Sequence, residues 1–309
     1  MERLRLGTRG SKLAQWQAQA VAERLKACHP GLQVEIVIIK TVGDKILDVA
    51  LSRIGDKGLF TKELEKALLE GDIDIAVHSL KDLPSQLGEG LRLSAVLHRE
   101  HPGDVLISRR GVKYHEIPAG GVLGTSSLRR TAQIKALRPD LQVVDIRGNV
   151  ETRIKKMEEQ NLDGIILAYA GVKRLGLEHL ITEQLSFDTM LPATGQGAIA
   201  IETRDPDPQI DNLLAPINHM ETFIEIQAER AFLGKMEGGC QVPIGSLAKY
   251  KGSVIELKGL VASLDGSKII RDSMIGSSQD PLQLGVALAE QMLGAGAENI
   301  LNSIRTMED

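Results

Sequence analysis

Residues 6–12 read LGTRGSK and residues 123–130 read LGTSSLRR, and this echo decides the fold. In each copy an apolar run that predicts a strand ends in Gly-Thr, a turn follows, and a helical pattern begins. The echo continues downstream. Pro30-Gly-Leu-Gln-Val34 after the first helix is answered by Pro139-Asp-Leu-Gln-Val143 after a second, shorter one. Two echoes in the same order predict paired α/β lobes of like construction. Lobes of that kind are expected to face each other across a cleft, with ligands at the carboxyl ends of the strands.

Around the first copy the pattern predicts a strand at Leu4–Gly7. A helix over Ser11–Ala27 follows, with Leu13, Ala14, Ala18, Val21 and Leu25 on one side. The run VEIVIIK, Val34–Lys40, is apolar enough to predict a buried parallel strand. A helix over Thr61–Glu70, stopped by Gly71, precedes a strand at Ile73–Val77 that runs into HSLKDLP, residues 78–84. After Pro206 and Pro208 the texture changes. Thr222-Phe-Ile-Glu225 reads as a capping box opening a helix that ends near Met236. Strands are expected at Val254–Leu260 and Lys268–Ile275, and a closing helix at Pro281, weakened near Gly294 and Gly296.

Composition removes several classes of function. With 309 residues and 42% apolar content, the chain is long enough for two to three domains with a sizeable interior. A net charge of −4 gives no global field to recruit nucleic acid, and 3% aromatics leaves few platforms for stacking bases. Neither C-x-x-C nor H-E-x-x-H occurs, so no metal site is expected. The opening MERLRLGTRGSKLAQ lacks an apolar core of signal-peptide length, and no stretch approaches a membrane span. A cytoplasmic protein follows as the expectation. No coiled coil or long edge strand is evident, which favours a monomer.

The chemistry-bearing residues gather at strand-to-helix junctions. Gly7-Thr-Arg-Gly10-Ser-Lys12 looks like a phosphate loop, but two residues separate its glycines where four are needed. What remains is a helix N-terminus beside Arg9 and Ser11, suited to a carboxylate or, on the plainer reading, a capping serine beside a solvated arginine. In Gly124–Arg130 two adjacent arginines sit in the first turns of a helix, where they oppose its dipole; a bound anion would relieve that conflict. Arg147, Arg153 and Arg174 occupy comparable positions. Together they imply a local basic pocket in a chain of net negative charge. Asp82, with Ser79 and Lys81 at the end of a strand, is either a turn cap or an acid–base or cation-stabilising group.

Cys240 stands on MEGGCQVPIG, residues 236–245, after two glycines. It has three readings: a buried structural thiol, a nucleophile in want of a histidine, or a covalent attachment point at a cleft. Cys28, at the end of an amphipathic helix, reads as inert.

Taken together, these segments resemble the porphobilinogen deaminase (hydroxymethylbilane synthase) family over nearly the whole chain. The likeness rests on TRGSKLAQWQA, KGLFTKELE, DIAVHSLKDLP, GTSSLRR, DIRGNVETR, LAYAGVKRLG, LPATGQGAIAIE, ERAFL and EGGCQVPIG, all in the family's order. It weakens over the last 60 or so residues. The resemblance implies two periplasmic-binding-protein-like lobes and a small α+β third domain. The divisions it implies are 1–99 with 195–217, 100–194, and 218–309. It implies an enzyme that joins four porphobilinogen molecules head to tail with loss of ammonia, then hydrolyses the linear tetrapyrrole free. Its primer would be a dipyrromethane cofactor held by a thioether to Cys240, answering why that thiol sits on a pliant loop. Asp82 matches the catalytic aspartate, expected to hold pyrrole N–H groups, stabilise the cation formed as ammonia leaves and help move the proton lost afterwards. Arg9, Ser11, Gln17, Ser79 and Lys81 match carboxylate- and pyrrole-binding positions in the first lobe. Thr125, Ser126, Ser127, Arg129, Arg130, Arg147, Arg153 and Arg174 match those in the second. The segment 43–60, with glycines at 43, 55 and 58, is either a lid with Lys57 and Phe60 at its inner edge or an ordinary surface helix. Two other classes compete on the residues alone: a receptor for an organic anion, and a thiol-dependent acyl transferase.

Overall fold

The computed structural model describes residues 1–45, 60–236 and 242–306. Lys57, Cys240 and nearly all of the 43–60 segment lie outside the described residues. The chain divides into two compact units, one from the described parts of 1–47, 56–100 and 197–223, the other from 101–196 and 224–306.

The first unit is built on a five-stranded sheet. Strands β1 (Arg3–Arg9), β2 (Gln33–Ile39), β3 (Ile75–Ser79), β4 (Leu91–Val96) and β10 (Ile199–Arg204) lie in the order β2-β1-β3-β10-β4. β1 pairs in parallel with β2 and β3, while β10 runs antiparallel to β3 and β4. Helix α1 (Lys12–Cys28) buries Ala14, Gln17, Ala18, Val21, Ala22 and Leu25 against one face. Leu4, Leu6, Val77, Ile199 and Ile201 meet it from the sheet. The short α2 (Val42–Lys45) and then α3 (Lys62–Leu69) follow, α3 covering the other face through Leu64, Ala67 and Leu68 with Ile73 and Ala76. α7 (Pro208–Leu214) closes the unit. The run at 33–39 is parallel as its composition implies, but it is not a buried strand. It forms the sheet edge, so alternate residues face solvent and Ile38 is 52% exposed.

The second unit repeats the design. β5 (Asp104–Ser108), β6 (Val122–Gly124), β7 (Gln142–Val144), β8 (Gly164–Ala168) and β9 (Glu183–Gln184) lie in the order β7-β6-β8-β5-β9. β6 takes the place of β1, parallel to both neighbours, and β5 takes the antiparallel place of β10. α4 (Leu128–Leu137), α5 (Val150–Glu159) and α6 (Tyr169–Arg174) cover this sheet. The repeated Leu-Gly-Thr phrase thus marks the same strand of each lobe, one in from the sheet edge.

The remainder is a three-stranded antiparallel sheet, β11 (Ile244–Lys251), β12 (Val254–Ala262) and β13 (Ile269–Ser277). One face carries α8 (Met220–Lys235), α9 (Pro281–Met292) and α10 (Glu298–Arg305) over a core that includes Phe232, Leu257, Leu288 and Met292. The opposite face sends Leu260 and Ala262 against Ala132 and Leu191. α8 begins earlier than the capping-box pattern implies. Its first N–H groups meet His219, whose Nδ1 accepts from the Thr222 N–H at 3.3 Å, and the Thr222 hydroxyl accepts from the Arg99 N–H. Glu225 accepts from the Tyr250 N–H, so it ties α8 to β11 rather than closing a box. Between α9 and α10 the chain turns at Gly296, with φ of 107°.

Gly285 lets α9 approach α8 closely: a Cβ there would stand 2.3 Å from the Ala228 carbonyl oxygen and 2.8 Å from the Phe232 nitrogen. Backbone cannot yield as a side-chain tip can. Gly285→Ala is expected to cost about 1–3 kcal/mol by overpacking. Thermal melting, falling about 2–4 °C per kcal/mol in a protein of this size, measures it.

Candidate functional site

In the first unit, the carboxyl ends of β1 and β3 and the N-termini of α1 and α3 enclose a pocket of about 420 Å³, part of it open to solvent. Its walls include Arg9, Ser11, Gln17, Phe60, Thr61, His78, Ser79 and Asp82, with Leu13, Ala14 and Val77. Six residues singled out from the sequence, Arg9, Ser11, Gln17, Phe60, Ser79 and Asp82, therefore share one cavity. Lys81 is half-buried in the same turn but is not part of the described lining.

Each wall residue has a local cause. β1 ends at Arg9, whose guanidinium carbon lies 4.1 Å from the centre of the Phe60 ring, a cation–π contact. Ser11 caps α1, its hydroxyl accepting from the Ala14 N–H at 3.2 Å. Gln17 is buried one turn further on and exchanges hydrogen bonds with Ser79. Its Nε2 donates to Ser79 Oγ at 2.8 Å, and that hydroxyl donates back to Oε1 at 3.2 Å. This pair fastens α1 to the end of β3. Past Ser79 the chain makes one 3₁₀ turn, Leu80–Asp82, anchored by the Leu80 N–H on the Ala198 carbonyl. The turn delivers the half-buried Asp82 carboxylate to the pocket, where among the described residues it has neither hydrogen bond nor ion pair.

Three lining or adjoining residues escaped the sequence reading. Thr61 stands at the cap position of α3 without capping it; the residue is fully buried and its hydroxyl has no partner among the described residues. His78 faces Glu202 of β10, Nε2 to Oε2 at 2.9 Å. Thr61 adjoins Phe60 in a recognisable motif, yet only its burial marks it. Glu202 is remote in sequence, and no spacing announces the pair.

In the second unit the hydroxyls of Thr125 and Ser126 serve the backbone. Thr125 Oγ1 accepts from the Ser127 N–H. Ser126 Oγ donates to the Ile146 carbonyl at 2.9 Å and accepts from its N–H at 3.1 Å. The Ser126 pair pins the β6–α4 turn to the β7–α5 loop, which carries Arg147 with a buried Nη1 that has no partner among the described residues. Arg153 donates from Nε to the Gly148 carbonyl at 2.8 Å, and Arg174 ends α6, half-buried.

Arg129 and Arg130 already meet an anion within the protein. The anion that offsets them is internal. Arg129 Nη1 lies 2.8 Å from Asp104 Oδ2 and Arg130 Nη2 2.7 Å from Oδ1, with all three side chains buried. Arg130 also donates to the Ile166 carbonyl, Arg129 to that of Leu191, and Gln196 adds a donor to Asp104. Burial works to raise the Asp104 pKa. The two guanidinium charges and their hydrogen bonds outweigh it and hold this carboxyl far below the usual range. Among the described residues, no group of three or more His, Cys, Asp or Glu side chains has metal-binding geometry, and no helix is long and apolar enough to cross a membrane.

Two outcomes are expected. Thr61→Val removes a buried unpaired hydroxyl at constant shape, so melting temperature should hold or rise. Asp104→Asn leaves two buried cations without their counter-charge and should cost about 3–5 kcal/mol at pH 7. Because the folded-state pKa of Asp104 is depressed, its stabilisation is full above the ordinary carboxylate pKa of about 4 and fades as pH falls below it. Denaturation curves across that range should therefore flatten in the variant relative to the parent.

A family model for the porphobilinogen deaminase dipyrromethane cofactor-binding domain matches residues 4–212, and one for the C-terminal domain of the same enzyme matches 223–294. A porphobilinogen deaminase of Carboxydothermus hydrogenoformans is 58% identical over 300 residues, covering 97% of this chain and 96% of its own. One of Syntrophomonas wolfei is 57% identical over 99% of this chain and all of its own length. One of Pelotomaculum thermopropionicum is 52% identical over 98% and 97%. The periplasmic VFT2 domain of Bordetella pertussis BvgS overlaps 69% of this chain and 85% of its own at 16% identity and a TM-score of 0.42, a likeness too slight to bear on function. By both family models and these relatives, the chain belongs to the porphobilinogen deaminase family.

Proposed function

We propose that this chain joins four molecules of porphobilinogen head to tail on a covalently held dipyrromethane, releasing ammonia at each addition. It then frees the linear tetrapyrrole hydroxymethylbilane by hydrolysis. The observation that carries the reading is the Asp82 carboxylate, unpartnered among the described residues, in one pocket with an arginine and several hydroxyls, within a stretch matched by the cofactor-binding family model.

The residues suit such a group. A dipyrromethane bears carboxylates along its edge and N–H groups within, and it asks for cations and hydroxyls around an acid. Arg9 is a suitable cation, the Thr61 hydroxyl is an open donor among the described residues, and Asp82 is an acceptor for N–H. We assign the thioether to Cys240, on the motif EGGCQVPIG. The dipyrromethane supplies the pyrrole carbon to which the first substrate is joined.

The chain's own residues do the rest. Arg9, Ser11 and Lys81 grip carboxylates in the first lobe, with Ser127, Arg147, Arg153 and Arg174 serving the second. Ser126 shapes the second set by holding its two loops together, Thr125 braces the turn beside it, and Arg129 and Arg130 support it through Asp104. Gln17 and Ser79 fix the turn that aims Asp82. Phe60 braces Arg9, with Lys57 nearby in the same motif. Asp82 accepts the N–H of the incoming pyrrole and stabilises the cation that develops as its amine departs, an oriented charge in a pocket with apolar walls. The protein works as a cytoplasmic monomer without nucleic acid, each chain carrying its own Asp82 and Cys240.

Electrospray mass of the intact, active protein should exceed the sequence mass by two linked pyrroles, and Cys240→Ser should abolish the surplus. An unmodified mass in active material would overturn the assignment and favour a solute receptor or an acyl transferase. Asp82→Asn should lower kcat by about 10²–10³-fold, as for other oriented electrostatic groups, while keeping the surplus mass and the melting temperature.

A further inference from the structure

Glu202 is fully buried, yet neither carboxylate oxygen accepts a hydrogen bond from any described residue. The group that faces it is the His78 imidazole, Nε2 to Oε2 at 2.9 Å, with side-chain exposures of 3% and 0%. β3 and β10 pair so that Ala200 lies opposite His78 and Glu202 opposite Ala76, which puts both side chains on the same sheet face as diagonal neighbours. A carboxylate sealed from water without N–H donors needs a cation or a proton of its own. Among the described residues, His78 is the side chain placed to meet that need.

Stability does not explain the pair. A buried ion pair does no better than apolar side chains of the same volume, and here its hydrogen-bond geometry is poor. Its position offers another reason: His78 lines the pocket that receives Asp82, one residue before Ser79.

We propose that His78 is a catalytic proton carrier in this pocket and Glu202 the residue that positions and charges it. The proposal rests on the function given above. As the carbon–nitrogen bond of the aminomethyl group breaks, the bonding electrons leave with nitrogen, and the ammonia takes the imidazolium proton to depart as ammonium. After the new carbon–carbon bond forms, the neutral imidazole takes the proton lost from the α-carbon of the previously added pyrrole. The imidazolium is restored, and one proton has moved from carbon to nitrogen. Imidazole is the side chain suited to both transfers near neutral pH.

The test uses the cofactor-loaded enzyme, with porphobilinogen carrying hydrogen or deuterium at its free α-carbon. His78→Asn should lower kcat by about 10²–10⁴-fold, the usual worth of general acid–base catalysis, with KM nearly unchanged. It should also expose a primary deuterium isotope effect. Glu202→Gln should fall between parent and His78→Asn and show the same isotope effect. The double variant His78→Leu/Glu202→Met replaces the pair by apolar volume. It should melt at or above the parent temperature, keep the surplus mass, and turn over as slowly as His78→Asn. A double variant with kcat close to the parent's would overturn the proposal, because the pair would then be filler. Slow variants without an isotope effect would overturn it too, because the lost step would not involve the carbon-bound proton. Should the double variant misfold, Glu202→Gln decides by the same isotope criterion. A parent enzyme that releases no ammonia from porphobilinogen would overturn the function and this proposal together.

Discussion

A charged group stays unpaired beside a protein interior only if its surroundings hold it there, and the turn that carries Asp82 is built around that constraint. Asp82 rides on a single 3₁₀ turn with little to hold it by itself. Its rigidity comes from both ends: the Leu80 N–H on the Ala198 carbonyl, and the Gln17–Ser79 exchange that fastens the end of β3 to α1. Without a partner among the described residues, the carboxylate is available to a cation or an N–H group arriving from outside. A satisfied aspartate would have to give up a bond before it could do the same.

The contrast with Asp104 is instructive. Both aspartates lie near arginines that sequence alone treats alike, yet Asp104 is sealed between Arg129 and Arg130 and serves as their internal counter-charge. One carboxylate organises cations within the second lobe; the other is left open to ligand in the first. Charge in this protein is sorted by burial, not by motif.

Much of the architecture was legible because two sheets of the same strand order carry the same phrase on corresponding strands, and sequence repeats survive where packing is repeated. The pocket residues Arg9, Ser11, Ser79 and Asp82 were legible because strand ends and helix starts converge by geometry in such sheets. What remained hidden depended on partners distant in sequence. Asp104 neutralises arginines more than twenty residues downstream, and Glu202 meets His78 across a strand that returns after the whole second lobe. The strand at 33–39 reads as buried because an edge strand of this composition looks like a central one until its neighbours are counted. Thr222 resembles a cap because His219, which does the capping, is not among the residue types that normally announce a helix start. β11, following the motif that contains Cys240, was hidden among small and charged residues.

The central claim is that the open acid of the first lobe receives pyrrole N–H groups. A crystal structure of the loaded enzyme, resolved well enough to orient the rings, tests it most directly. The account predicts pyrrole nitrogens within about 3 Å of the Asp82 carboxylate. Rings seated elsewhere, with Asp82 facing only water, would contradict it.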